Sequence, residues 1–341
     1  MSKLIMEKSF IRELKKTLNK TQNIVVIPHK NPDGDALGSC LALFHFLIKS
    51  GHNCNIISPS NYPEFLNWLP GQKAIIKYSS NNSLCEKIID QCDVIFTLDF
   101  NSLNRIDILG DVVKKSSSIK VMIDHHENPD NYANLIYSNP KLGSTCEMIF
   151  NVIEELDFSL LDKSIAICIY TGIMTDSGSF RYPSTSSKTH LIISKLLSTG
   201  ISHSSIYQNI YDIYSFDRIS LLAKALSNIR KIEALNAVYL TLTQDELNEN
   251  NFNKGDSEGF VNYGLSIKGM IFSTILIEHA KEKIIKMSFR SKGSFDVNKF
   301  ARKYFNGGGH VNAAGGISYE NINQTILDLV NATKKYSDQL I

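Results

Sequence analysis

Asn23-Ile-Val-Val-Ile-Pro28 runs directly into His29-Lys-Asn-Pro-Asp33-Gly-Asp35. The first six residues are short, apolar and rich in β-branched side chains, which predicts a buried strand. The polar turn that follows opens a helical pattern from about Asp35 to Ser50, closed by Gly51. Further apolar runs at Asn55–Ser58, Val94–Leu98 and Val121–Ile123 are separated by segments long enough for crossovers. Strand–helix alternation of this kind predicts an α/β fold whose parallel sheet is covered by helices on both faces. Ser144-Thr-Cys-Glu147 has the form of a capping box and predicts a helix to about Leu156.

From about Leu160 to Ile229 helical periodicity dominates, and Phe216–Ile229 reads as a connecting helix. Beyond Asn236 the pattern changes. Alternating runs at Ala237–Thr243, Met270–Glu278 and Ile284–Arg290, with helices near 256–266, 296–304 and 320–335, predict a smaller α/β domain with a mixed sheet. The expected organisation is a first domain at 1–190, a helical connector at 191–230 and a second domain at 231–341.

The chain has 341 residues, enough for about two domains of ordinary size. With 43% hydrophobic and 21% charged residues, it is neither disordered nor collagen-like. A net charge of +2 argues against a strongly basic nucleic-acid clamp, although a charged cleft for a short anion stays compatible with it. The N-terminal stretch scatters charge among its apolar residues, so no signal peptide is expected, and no apolar run approaches the ~20 residues of a membrane helix. Six cysteines without a CxxC pair read as reduced, buried thiols, and a cytoplasmic location is the expectation.

The chemistry lies in where acids and imidazoles fall relative to the strands. The first strand ends in His29, Asp33 and Asp35; the Val94–Leu98 strand ends in Asp99; the Val121–Ile123 strand ends in Asp124-His125-His126. In an open parallel sheet the carboxyl ends of the strands share one crevice. Taken singly, Asp33-Gly-Asp35 is a turn with a helix N-cap, Asp99 a strand-end carboxylate, and Asp176 the end of an apolar helix. Together they deliver acids and imidazoles to one rim, where a divalent cation resolves their mutual repulsion. A carboxylate-rich set without cysteine suits Mn²⁺ or Mg²⁺.

His29-x-x-x-Asp33-x-Asp35, Asp99, Asp124-His125-His126 and Asp176 resemble the four motifs of the DHH phosphoesterase superfamily, RecJ-like in kind. Gly307-Gly308-Gly309-His310, followed by Ala313-Ala-Gly-Gly316, resembles the signature of the DHH-associated C-terminal domain. The architecture is most similar to the short, two-domain, NrnA-type branch of oligoribonucleases and 3′-phosphoadenosine 5′-phosphate (pAp) phosphatases. That resemblance implies a metal set of His29, Asp33, Asp35, Asp99, His125 and Asp176 holding two divalent cations, Mn²⁺ or alternatively Mg²⁺, with Asp99 bridging. It implies that Asp124 orients an imidazole and that His126 meets the substrate phosphate. It also implies substrate contacts from Arg290, Ser291, Gly308, Gly309 and His310 in the second domain. Arg105 is a further candidate, and Arg181 is a similar case.

The implied reaction is hydrolysis of a phosphate ester by two-metal activation of water. Short RNA and nucleotide substrates are expected rather than long duplex DNA or a membrane, because two domains leave no room for the extra modules of processive exonucleases. Trp68 reads equally as core or as a stacking platform. A homodimer is the expectation from the resemblance. The alternatives are a linear or cyclic dinucleotide phosphodiesterase, a manganese pyrophosphatase, or, from another class, a non-catalytic nucleotide- or RNA-binding module.

Overall fold

The computed structural model describes residues 2–341, with side chains from residue 8 onward. The chain forms two compact units, residues 1–213 and 214–341.

The first unit is built on a six-stranded parallel sheet of β1 (Asn23–Pro28), β2 (Asn53–Ser58), β3 (Ile75–Lys77), β4 (Val94–Leu98), β5 (Ile119–Asp124) and β6 (Leu135–Ser138). Their spatial order is β3-β2-β1-β4-β5-β6, and every pairing is parallel. From β1 the chain lays strands outward in one direction, then returns beside β1 with β4 and continues the other way. The C-terminal ends of β1 and β4 therefore flank a topological switch point, where open α/β sheets bind ligands. Strands β3 and β6 were not anticipated from the pattern; at three and four half-buried residues they are too short to show a period.

Strand alternation divides β1 between two cores. Ile24 and Val26 face the core shared with Leu37, Cys146, Ile149 and Ile169, whereas Val25 and Ile27 face Ile89, Leu109 and Val113. The helices, in chain order, are α1 (Ser2–Thr17), α2 (Gly34–Lys49), α3 (Asn82–Asp90), α4 (Ile108–Lys115), α5 (Thr145–Asp157), α6 (Lys163–Asp176), α7 (Ser187–Leu197) and α8 (His203–Tyr211). Trp68 is partly buried against the first of these cores, so it packs rather than stacks. Half of the expected capping box forms at α5. Ser144 accepts from the Glu147 N–H, while the buried Glu147 carboxylate turns to the Thr189 hydroxyl of α7 instead of back to Ser144.

The helices linking the two sheets are shared between the units. α7 and α8 pack on the first, and α9 (Phe216–Ser227) buries Leu221 and Ala225 against Leu240 and Ile275 of the second. The second unit carries a mixed sheet of β7 (Arg230–Ile232), β8 (Ala237–Leu242), β9 (Phe272–His279), β10 (Ile284–Ser291), β11 (Gly308–His310) and β12 (Ala313–Ser318). The order is β11-β12-β10-β9-β8-β7, parallel only between β8 and β9. Between 256 and 266 only Asn262–Ser266 is helical, because Gly255 and Gly259 adopt positive φ there.

Helices α2 and α6 cross at glycines. A Cβ on Gly38 would lie 2.5 Å from the Cys168 carbonyl oxygen, and one on Gly172 would lie 2.2 Å from Cys146 Sγ and 2.7 Å from Asp35 Oδ1. Overpacking a closed contact of this kind costs about 1–3 kcal/mol. Gly172→Ala should therefore lower the thermal midpoint by several degrees, on the order of 2–4 °C per kcal/mol, in differential scanning calorimetry. An unchanged midpoint would show that the crossing has room to spare.

Candidate metal centre

Three loops at the C-terminal rim of the first sheet, after β1, β4 and β5, and the end of α6 deliver the polar cluster. After β1 the chain turns through His29, and Asp33 caps α2, its Oδ1 accepting from the N–H groups of Asp35 and Ala36 at 3.0 Å. The N-cap reading of Asp33 is thus correct but covers only one oxygen. The other, Oδ2, lies 3.9 Å from His29 Nε2.

Asp99, just past β4, is 2% exposed and has a left-handed backbone (φ 66°), while its N–H still pairs with the Ile123 carbonyl. This conformation is uncommon outside glycine, Asn and Asp, and it is retained only where the surroundings enforce it. Its Oδ2 lies 3.5 Å from His29 Nε2, and its Oδ1 lies 3.5 Å from His125 Nε2. His125 Nε2 is also 3.4 Å from Oδ2 of Asp176, the last residue of α6. A carboxylate at a helix C-terminus meets the negative end of the macrodipole, a poor position unless positive charge is nearby.

The imidazoles are oriented by their second nitrogen. His29 Nδ1–H donates to the Lys30 carbonyl at 2.8 Å and His125 Nδ1–H to the Leu142 carbonyl at 3.2 Å. Both rings thereby turn Nε2 toward carboxylates. His126 is set the other way. Its Nδ1–H donates to Asp124 Oδ1 at 2.7 Å, its backbone N–H to Asp124 Oδ2 at 3.0 Å, and Asp124 is fully buried.

Charge follows from this geometry. Burial disfavours the cationic forms of His29 and His125, yet Asp99 at both rings, with Asp33 at His29 and Asp176 at His125, more than offsets it and raises each to about 9. Burial would raise Asp99, but the hydrogen bond from His29 and the nearby imidazoles hold it well below the usual carboxylate range. Asp35 is raised, first by burial and then by the charges of Asp99 and Asp176, and Asp176 is pushed up to about 7, chiefly by burial. Metal-free, the cluster keeps protons on the atoms that face the carboxylates. A divalent cation held by these donors would take over the role of those protons.

The donor set fits that cation. His29, Asp33 and Asp99 offer three ligand atoms within 4.8 Å of one another, as do Asp35, His125 and Asp176, and Asp99, His125 and His126 form a third such group. Oxygen and imidazole donors without thiolate suit a hard or borderline divalent ion. All six residues expected as ligands are brought together, with Asp99 between the sets. Arg105 stands exposed on the same rim, its carbonyl accepting from the Lys30 N–H. A groove of about 780 Å³ beside Arg12, Lys15 and Tyr137 includes none of these residues.

In the second unit part of the glycine run is a strand. Gly308–His310 is strand β11, and the Gly309 N–H is taken by Asn298 Oδ1 at 3.0 Å. A Cβ on Gly307 would sit 1.9 Å from the Gly315 carbonyl oxygen, so close backbone packing demands that glycine. Ser291 is also engaged within the protein: buried, it donates to the Phe295 carbonyl and accepts from Asn312. Arg290, whose Nη1 donates to the Phe289 carbonyl at 3.0 Å, shares a register row with His310 across β10, β12 and β11 through Ala313. Beside Gly308 lies Arg302, bonded to Asn298, a guanidinium not anticipated from the sequence.

Comparison with known proteins agrees with this description. Residues 23–173 match the DHH family N-terminal domain and residues 218–335 the DHHA1 domain. The structure is similar to that of an exopolyphosphatase-related protein from Bacteroides fragilis, with a TM-score of 0.95 and 41% identity over 97% of each chain. In sequence the chain is 27% identical to a probable bifunctional oligoribonuclease and PAP phosphatase NrnA of Streptococcus mutans, over 87% of this chain and 89% of the relative. It shares its fold with RecJ of Thermus thermophilus, solved with Mn²⁺ (TM-score 0.55, 12% identity, covering 98% of this chain and 55% of that one). The chain belongs to the DHH phosphoesterases that carry a DHHA1 domain. Among the described residues no helix is long and apolar enough to cross a membrane.

The raised imidazoles make a signed prediction. A group whose pKa rises on folding from 6.5 to about 9 contributes stability that is complete below pH 6.5 and is lost as pH climbs through 9. Asp176, raised from 3.8 to about 7, loses stability on the same upward course. Chelated protein should therefore show a thermal midpoint that falls steadily from pH 6.5 to 8.5. A saturating divalent cation should flatten or reverse that slope, because it replaces the protons. Identical slopes with and without the cation would refute the assignment.

Proposed function

We propose that this protein is a metal-dependent hydrolase of short oligoribonucleotides and of pAp, working with two divalent cations, Mn²⁺ in the first instance. The observation that carries the reading is the pair of three-donor sets, His29, Asp33 and Asp99 in one and Asp35, His125 and Asp176 in the other, with Asp99 Oδ1 3.5 Å from His125 Nε2. His29 and Asp33 would hold one ion, Asp35, His125 and Asp176 the other, and Asp99 both. When bound, such a pair supplies Lewis-acid stabilisation of phosphate charge and a lowered pKa for water.

The chain's own groups do the rest. Asp124 fixes the His126 tautomer, so Nε2 is the ring atom that takes up a proton and passes it to the departing ester oxygen. Arg290 offers a bidentate fork to a phosphate, and His310 on the same register row adds a second polar group. Arg105 serves as a secondary anion contact on the rim of the first unit. The similarity to an NrnA-named relative over most of both chains supports nanoRNA and pAp as substrates. The name of the 41% identical structure makes inorganic polyphosphate the substrate to test against them.

Purified protein with Mn²⁺ should hydrolyse pAp and di- to pentaribonucleotides in preference to a 24-mer, cyclic di-AMP, pyrophosphate or polyphosphate. A dominant rate on any of the last four would overturn the substrate assignment. Asp99→Ala should abolish turnover while leaving nucleotide affinity largely intact, and undiminished hydrolysis would rule out the catalytic reading. Arg290→Ala should raise KM with little change in kcat, the signature of lost uniform binding.

A further inference from the structure

Two buried carboxylates of the centre are held by one residue that is not a metal ligand. Thr145, the first residue of α5, is fully buried. Its Oγ1–H donates to Asp99 Oδ1 at 2.8 Å, and its backbone N–H donates to Asp35 Oδ2 at 2.6 Å. The next N–H, of Cys146, donates to Asp35 Oδ1 at 2.8 Å. The N-terminal turn of α5 thus holds Asp35 by both oxygens.

The hydroxyl bond has a specific consequence. Asp99 can bridge two donor sets only if its carboxylate is turned with one oxygen toward His29 and the other toward His125, which is the orientation present. A carboxylate rotates about its terminal torsion over a broad, shallow range, so an external bond must hold it. Thr145 Oγ1 supplies that bond on the His125 side. Because the backbone of the same residue clamps Asp35, Thr145 also sets the spacing between the acid shared by both sets and the acid that belongs to one.

We propose that Thr145 is a positioning residue for the metal pair, orienting Asp99 as the bridge and tying it to Asp35. This rests on the two-cation reading above. Partners that orient metal ligands typically matter about 10–100-fold in metal affinity or activity.

The test compares wild type with Thr145→Val, Thr145→Ala and Thr145→Ser, titrating Mn²⁺ into chelated protein and following the free-ion electron paramagnetic resonance signal, with pAp kinetics in parallel. The first two variants delete the hydroxyl and keep the backbone clamp; serine restores the donor. Valine and alanine should weaken Mn²⁺ binding about 10–100-fold and lower kcat, while KM for pAp moves by no more than about threefold and serine recovers both. Either deletion is sufficient if the other fails to fold. Wild-type Mn²⁺ affinity in a folded deletion variant would overturn the proposal, as would a serine variant as impaired as valine, since that would assign the effect to the lost methyl. Failure of the wild type itself to bind Mn²⁺ would instead overturn the two-cation reading.

Discussion

A fully buried carboxylate surrounded by three imidazoles governs this structure. Asp99 has His29, His125 and His126 within 4 Å, almost no exposure, and a left-handed backbone. Isolated burial of a carboxylate costs several kcal/mol, and only nearby positive charge and hydrogen bonds make it tolerable. The other features of the rim follow from that demand. The parallel sheet delivers the imidazoles from two of its strand ends, and α5 presents a helix N-terminus. Carbonyls of Lys30 and Leu142 fix which ring nitrogen faces inward.

The loops bearing these groups are tied to one another as well as to their strands. The Lys30 N–H donates to the Arg105 carbonyl, and the Lys30 ammonium pairs with Asp107, joining the first loop to the one after β4. Asn101 donates to the Glu127 carbonyl and accepts from Asp130 N–H, joining that loop to the Asp-His-His loop. Pre-set loops of this kind hold ligand atoms in place before any cation arrives. The division of labour among the histidines follows from the same bonding. Two rings anchored on carbonyls turn Nε2 to the acids, and the third is anchored on Asp124.

In the second unit the glycines serve close backbone packing. Gly307 and Gly309 have no space for a Cβ beside Gly315 and Ala313, and the strand they form is locked by Asn298. Arg290 and His310 share a register row through Ala313, and Arg302 lies beside Gly308.

The strands β1, β4 and β5, their helices and the ligand-type residues at their ends were legible from the chain itself, because apolar runs terminate abruptly in acids and histidines there. Short strands such as β3, β6 and β11 were not, since three or four residues carry no readable period, and glycine-rich β12 has a single β-branched side chain, Ile317. Thr145 also escaped notice. Its residue type and its place in the Ser144–Glu147 motif pointed only to a helix start, whereas its partners lie 46 and 110 residues away. Ser291 and the Gly309 amide looked available for substrate until folding gave each an internal partner. Local order and chemical type are written along the chain, but which polar group meets which is decided by burial, because a donor excluded from water must find its acceptor wherever the packing places one.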